Sequence, residues 1–321
     1  MRKLYALLLF LSTVLGCRQQ EEIKFPITKH LIAEKVPINA VMAPAFMAFE
    51  KDWLVVSKLK GDSVLYFYSR PDLKYLGSAG RMGDGPEEFR SFTQFCDNPF
   101  GKLIVSNLGS PLSIKEIEID SLFRIEVKKE YRFKNYVLKN NMFLKNDLNL
   151  FLFNIDLLSI DRYSFINGEG ECIGSVCMNE GRSHLIDSSD PEFGIPIYND
   201  SLAIYLYCFK DQLDIYSLDD LTLKKRVSGS GKIHIDKDNW QETKRYYTAG
   251  YAGKKFFYVF NRSKGDLDNN FVIQSFTYDG EPVIQYTFNI NPGTPFIVDE
   301  EYGYLYSFNY QYEEYLLRYK L

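Results

Sequence analysis

The feature that most constrains this chain is a short apolar run that returns about every fifty residues. The copies are Trp53-Leu54-Val55-Val56, Leu103-Ile104-Val105, Leu150-Phe151-Leu152-Phe153, Leu202-Ala203-Ile204-Tyr205-Leu206, Phe256-Phe257-Tyr258-Val259-Phe260 and Tyr304-Leu305-Tyr306. Their first residues are separated by 50, 47, 52, 54 and 48. A fixed period of this size marks repeat architectures, and propeller blades repeat every ~40–50 residues. The units share wording as well: Tyr68-Ser69-Arg70-Pro71-Asp72-Leu73 returns as Tyr216-Ser217-Leu218-Asp219-Asp220-Leu221, displaced by 148 residues. In both, an aromatic strand ends at Ser, a turn carries Asp, and the next strand restarts at Leu.

Four short strands per period, without a convincing amphipathic helix, predict blades and not a solenoid. A ring also answers the edge-strand problem, because each sheet packs face to face on its neighbours. The 305 residues from Cys17 to Leu321 fit six such periods. The expected fold is therefore all-β: a six-bladed β-propeller of four-stranded antiparallel blades. Blade limits fall at about 43–79, 92–133, 137–177, 195–227, 245–288 and 296–321. The last period reads one strand short, and the segment around Thr28–Ala33 is expected to supply it, closing the last blade.

Between the first two units lies Gly77, Gly80, Gly83-Asp84-Gly85, Phe89, Asp97 and Gly101-Lys102-Leu103-Ile104-Val105. This pattern resembles an NHL-type repeat. The loop Gly83-Asp84-Gly85-Pro86-Glu87-Glu88-Phe89 is similar to one frequent in the six-bladed, TolB-like propeller lipoproteins of Gram-negative bacteria. That resemblance implies a fold and an address; it does not imply a reaction.

The first residues agree with that address. Arg2 and Lys3 precede the apolar stretch Leu4–Leu15, which is too short for the ~20 residues a membrane span needs. Val14-Leu15-Gly16-Cys17 resembles a bacterial lipobox. Residues 1–16 are therefore expected to be a lipoprotein signal peptide, and Cys17 the lipid attachment point. Residues 17–22 form a polar tether and residues 23–321 the propeller. The expected location is the outer membrane, with the face left undecided. The chain carries a formal charge of −4, and losing Arg2 and Lys3 with the leader leaves −6. Without a basic stripe, nucleic acid is not an expected partner.

Chemistry is sparse. Three histidines, His30, His184 and His234, lack the i, i+4 spacing of a zinc helix. Ser228-Gly229-Ser230-Gly231-Lys232 is no phosphate loop, since Arg226 stands where glycine is needed. Asp236-Lys237-Asp238-Asn239 and Asp266-Leu267-Asp268-Asn269 alternate oxygen ligands, but neither has the glycine turn and closing Glu of an EF-hand. No cofactor is expected, with calcium the alternative. Cys96, Cys172, Cys177 and Cys208 are expected to be buried free thiols. The connections 178–194 and 228–244 are long enough to be functional or disordered.

The densest charged cluster near special backbone is the glycine loop. Arg81, Asp84, Glu87, Glu88 and Arg90 form the candidate binding set, on a frame of Gly83, Gly85, Pro86 and Phe89. From Tyr302 to Tyr312 every even position is aromatic, which places these rings on one face of an extended stretch. The leading expectation is a membrane-tethered, non-enzymatic module that binds a protein, peptide or glycan. The alternatives are a channel-centred calcium-dependent lactonase, esterase or lyase, and a glycan-binding accessory of an uptake system.

Overall fold

The computed structural model describes residues 22–38, 44–58, 62–83, 85, 87–89, 93–98, 101–107, 113–133, 139–166, 169–178, 190–236, 243–262 and 271–321. Among these the secondary structure is β, apart from a short 3-10 turn at Tyr310–Tyr312. The chain opens with β1 (Ile27–Leu31) and β2 (Ala33–Pro37). The first unit is β3 (Pro44–Glu50), β4 (Trp53–Lys58), β5 (Leu65–Ser69) and β6 (Tyr75–Ala79). Two short strands follow, β7 (Arg81–Met82) and β8 (Glu88–Phe89). The second unit is β9 (Thr93–Phe95), β10 (Leu103–Asn107), β11 (Ser113–Ile119) and β12 (Ile125–Phe133). The third is β13 (Lys139–Asn146), β14 (Asn149–Asn154), β15 (Ser159–Ile166) and β16 (Glu169–Cys177). The fourth is β17 (Gly194–Tyr198), β18 (Leu202–Tyr207), β19 (Gln212–Ser217) and β20 (Leu223–Ser228). The fifth is β21 (Tyr247–Ala252), β22 (Phe256–Asn261), β23 (Val272–Thr277) and β24 (Pro282–Phe288). The last is β25 (Phe296–Asp299), β26 (Tyr304–Ser307) and β27 (Tyr315–Lys320).

These units form a propeller arrangement. The expectation of six separate blades is met only in part. Four units stand as separate sheets, while the second and third are joined into one eight-stranded sheet. The join is a short parallel pairing of β12 with β16, Arg132 opposite Glu169 and Phe133 opposite Gly170. Gly170 permits it, because a Cβ there would lie 2.8 Å from the Phe165 ring and 3.3 Å from Phe133.

The recurring apolar runs are the second strands of the units, and they are continuous because both of their faces are covered. Leu54 and Val56 of β4 pack with Ile297, Tyr306 and Leu316 of the last unit. Val55, between them, packs with Leu103, Val105 and Ile117 of the second. The same division runs round the ring. Phe151 and Phe153 meet Ala203 and Tyr205, and Ile204 and Leu206 meet Phe257 and Val259. Tyr258 and Phe260 meet Val298 and Leu305. Period-two geometry thus converts each run into two inter-unit contacts.

First strands meet at the middle. β3 packs on β9, β13 on β17, β17 on β21, β21 on β25, and β25 on β3. β9 reaches β13 through Asp97, whose backbone N–H donates to Met142 O at 3.0 Å and whose carbonyl accepts from Leu144 N at 2.9 Å.

The turns between third and fourth strands latch neighbouring units. Leu73, Phe123 and Leu221 sit there with φ of 57°, 57° and 56°, and Gly280 with 75°. The first and third are the two positions separated by 148 in the sequence. Phe123 turns its ring onto the first unit, 5.3 Å from Phe67 between centroids. Leu73 is buried among residues of the last unit.

Three expectations are corrected. The last sheet is completed by β2, at Ala33–Pro37, pairing antiparallel with β27, and not by Thr28–Ala33. The expected segment instead lies largely in β1, which adds in parallel to β24 of the fifth sheet. Ile23 and Phe25 reach further back, to the fourth–fifth contact, so the N-terminal segment belts three units. Cys96 and Cys208 are buried free thiols, but Cys172 and Cys177 are exposed, because β16 has few neighbours beyond its two-residue join. The aromatic alternation also breaks. Tyr306 and Phe308 are buried, but the 3-10 turn carries Tyr310 out to 85% exposure.

Candidate functional site

The glycine loop is built around Phe89, which is fully buried between the first and second units. β7 and β8 pair in parallel, Arg81 beside Glu88 and Met82 beside Phe89. Gly83 N donates to Phe89 O at 3.0 Å and Glu88 N to Gly85 O at 3.1 Å. Glu88 then turns its carboxylate back onto its own loop, where Oε2 accepts from Gly85 N at 2.9 Å. A Cβ on Gly83 would lie 2.0 Å from that oxygen, so a side chain there would push the Glu88 carboxylate off its place. The buried Lys115 donates to Glu88 O at 3.0 Å and lies 5.6 Å from the Phe89 ring centroid.

Of the candidate residues, Glu88 hydrogen-bonds within its own loop, Gly83 and Gly85 lie against its carboxylate, and Phe89 is buried beneath them. Arg81 and Glu87 are exposed. Asp84, Pro86, Arg90 and Cys17 lie outside the described residues, as do positions 237–239 and 266–269 of the acidic loops. Glu87 lines an open crevice of about 330 Å³ with Glu118, Asp120, Arg124 and Glu126. Three of its acids are already answered. Lys128 Nζ lies 3.2 Å from Glu118 and 2.7 Å from Glu126. Asp120 is held below the usual carboxylate range by hydrogen bonds from the backbone and side chain of Arg124.

The same accounting, applied to enclosed acids elsewhere among the described residues, finds most of them answered, although one buried carboxylate oxygen of Glu50 has no hydrogen bond. Asp299 is fully buried against Arg70 at 2.6 Å. Glu300 accepts from Lys255 N at 2.8 Å, Phe256 N at 3.1 Å and Tyr258 Oη at 3.0 Å. Asp214 holds Arg226 by two bonds of 2.8 and 2.7 Å and accepts from Tyr207 Oη at 2.9 Å. Asp211 accepts from Tyr247 Oη at 2.9 Å. Asp97 has no hydrogen-bond or ion-pair partner for its carboxylate among the described residues.

Asp97 sits where β9 ends, at the middle of the ring. Solvent reaches its side chain, yet protein surrounds it closely enough that desolvation alone pushes the carboxyl up to about 7. Its field is felt by Tyr251 of β21, whose phenol is pushed up by burial first and Asp97 second. Tyr278, after β23, and Tyr198, at the end of β17, also feel Asp97. We refer to this constellation as the axial mouth.

Sequence reasoning placed Asp97 in a repeat pattern but did not single it out as a site. A signal was nevertheless present. The turn between first and second strands is capped by Asn146, Asn199 and Asp299, each accepting from backbone N–H groups two and three residues on. In the second unit Asn98 is the cap, accepting from Lys102 N at 3.1 Å. Asp97, one residue earlier, is left without a turn to close. An acid directly before the capping Asn is the mark to look for.

No three His, Cys, Asp or Glu side chains among the described residues are grouped to hold a metal ion. No helix among them is long and apolar enough to cross a membrane.

No family model matches the chain, and no curated protein matches it. Solved structures do. A Bacteroides fragilis protein named as exported is 10% identical with a TM-score of 0.55, over 91% of this chain and 98% of its own. A Bacteroides caccae protein of unknown function is 12% identical with a TM-score of 0.46, over 79% and 90%. The β-propeller domain of a Myceliophteria thermophila protein is 10% identical with a TM-score of 0.46, over 90% and 100%. At these identities the likeness concerns the fold alone.

Proposed function

We propose that this chain is a lipid-anchored envelope propeller that binds a ligand at its axial mouth and does not catalyse a reaction. The observation that carries it is the Asp97 carboxylate at the end of β9, open to solvent and without a hydrogen-bond or ion-pair partner among the described residues. A group kept unpaired at the centre of a rigid scaffold is placed for an external partner. The blade count is read as six, as in the TolB-like and NHL-like propellers. What supports this is that the eight-stranded sheet divides into two antiparallel meanders joined through two residues, and that first strands follow one another round the middle. The outer-membrane address rests on the Val14-Leu15-Gly16-Cys17 motif. The exposed Arg81 and Glu87 are the part of the glycine loop left for a protein partner.

The channel-centred enzyme is the second reading, favoured by one observation: a carboxylate poised near neutrality suits general acid–base work. It would need a nucleophile or a metal partner beside Asp97.

A thermal-shift screen of amines, sugars, peptides, lactones and calcium, run on the chain from Arg18 and on Asp97→Asn, separates these readings. Binding at the axial mouth predicts a ligand that raises the melting temperature of the parent and not of the variant. A ligand that stabilises both equally would contradict the axial site, and turnover of a lactone or ester would favour the enzyme. Loss of palmitate labelling in Cys17→Ala tests the anchor.

A further inference from the structure

The place where the N-terminal tether meets the ring limits which side of the propeller can face lipid, an inference that rests on the anchored reading above. We propose that the loop Gly229–Ile235, between the fourth and fifth units, docks on an anionic phospholipid surface. Ile233 enters between the headgroups and Lys232 pairs with their phosphates.

Ile23 and Phe25 pack on the apolar cluster between the fourth and fifth units that contains Tyr246 and Tyr247. The Phe25 ring lies 5.2 Å from that of Phe276, edge to face. Glu22 and Lys24 alternate with them and are exposed. The Asp211 carboxyl is pushed up by burial first and feels Glu22 as well, so the chain reaches Ile23 past the turn that carries Asp211. Cys17 to Glu22 is six residues, and a fully extended stretch of that length spans at most about 20 Å. A lipidated Cys17 therefore keeps the bilayer close to the seat of Ile23.

The loop at that seat is held on its inner side and presents an apolar tip. Gly229 N donates to Asp211 O at 2.7 Å and Gly231 N to Asp211 Oδ2 at 3.3 Å, while Tyr246 Oη donates to Lys232 O at 3.0 Å. A Cβ would lie 2.0 Å from Asp211 Oδ2 at Gly229 and 2.4 Å from Tyr246 Oη at Gly231, so both glycines let the loop lie tight on the ring. The tip, Lys232-Ile233-His234, is exposed, with Ile233 at 50%. Lys244 N donates to His234 O at 3.0 Å, and the Lys244 ammonium lies 5.2 Å from the Tyr246 ring centroid.

An apolar residue between cationic ones suits the boundary between headgroups and acyl chains, where a lysine stem lies along apolar surface and its charge reaches phosphate. Lys24, Lys232, Lys244 and Arg245 outnumber Glu22 and Asp236 around the seat, and Asp211 is taken up by Tyr247 Oη at 2.9 Å. So small a patch binds lipid weakly from solution. An anchor holding it within reach supplies the effective concentration that makes the contact persist.

This orientation leaves the axial mouth free. Tyr246 and Tyr247 lie where the first strand β21 starts, and Asp97 follows the end of the first strand β9. First strands run the same way in successive units, so a bilayer on the Tyr246 side leaves the Asp97 end facing water.

The test puts an environment-sensitive fluorophore on the full lipidated chain at Ile233→Cys or, as control, at Leu148→Cys. The background carries Cys172→Ser and Cys177→Ser, which removes the exposed thiols. Leu148 is 57% exposed and sits in the turn that follows the first strand β13, on the Asp97 side. The chains are reconstituted into vesicles of phosphatidylglycerol and phosphatidylcholine that contain a doxyl-labelled lipid as quencher. Quenching at position 233 is expected to exceed that at 148 by about twofold or more. It should fall to the control level on adding Lys232→Glu or omitting phosphatidylglycerol. If Ile233→Cys does not fold, His234→Cys carries the probe. Equal quenching at the two positions, or quenching at 233 that neither change lowers, would overturn the proposal. Palmitate labelling of the parent separates the two failures. A palmitoylated chain with position 233 in water overturns the docking inference alone, whereas a chain without palmitate overturns the anchored reading beneath it.

Discussion

Glu88 and Asp97 stand nine residues apart, one in the glycine loop and one at the axial mouth, and their fates are opposite. Glu88 lies in the most conspicuous part of the sequence, and its charge is taken up by Gly85 N within its own loop. Asp97 follows the short strand β9, and no neighbour among the described residues answers its charge. The difference comes from which residue closes the local turn. Glu88 performs that task itself, whereas Asn98 performs it in place of Asp97. The availability of an acid is therefore decided by what its neighbours leave it to do, more than by the density of charge around it.

Four substitutions sharpen the comparison, taken from the largest effect to the smallest. Phe89→Ala should destabilise by about 3–5 kcal/mol in urea unfolding, because it empties a fully buried ring site. A loss under 1 kcal/mol would mean that the loop is not seated on that ring. Glu88→Ala should cost about 1–2 kcal/mol, through a lost carboxylate-to-backbone hydrogen bond, and should leave axial ligand binding intact.

Asp97→Asn should do the reverse: abolish ligand binding and stabilise at high pH. The native carboxyl, raised to about 7 from 3.8, keeps its proton over a range where the unfolded chain has lost it. Parent stability therefore falls as pH rises from about 4 to about 7 and levels off beyond. The variant should match the parent near pH 4 and exceed it at pH 8, by about 1 kcal/mol at most because solvent reaches the group. A variant less stable at pH 8 would contradict this. Glu87→Gln, on the exposed side of the loop, should stay within about 0.5 kcal/mol and leave axial binding unchanged. An effect of Glu87→Gln on ligand affinity would move the site to the loop.

Much of the fold was legible because second strands covered on both faces are apolar throughout, and six such runs announce themselves. The four-strand units begin and end close to where the spacing put them: β3–β6, for example, span Pro44–Ala79 against an expected 43–79. Pairing between elements far apart in the chain was harder to read. Nothing in Ile27–Leu31 distinguishes a parallel fifth strand on β24 from the closing strand six residues later, since both alternate weakly. The join at Gly170 depends on a close approach of Phe133 that spacing alone does not report. Cys172 and Cys177 were misjudged because β16 carries strand-like residues while lacking a full neighbour on its outer side. The aromatic series from Tyr302 to Tyr312 looked like one strand until Asn309 capped a 3-10 turn and sent Tyr310 outward. Asp97 needed the three-dimensional comparison of four turns, since only then does Asn98 emerge as the cap.

The most direct test of the account is a carboxyl-carbon NMR titration of the chain labelled with 13C-aspartate, with Asp97→Asn for assignment. The account predicts one aspartate resonance with a midpoint near 7, absent from the variant. A titration in which the Asp97 carboxyl ionises below about 5 would contradict it.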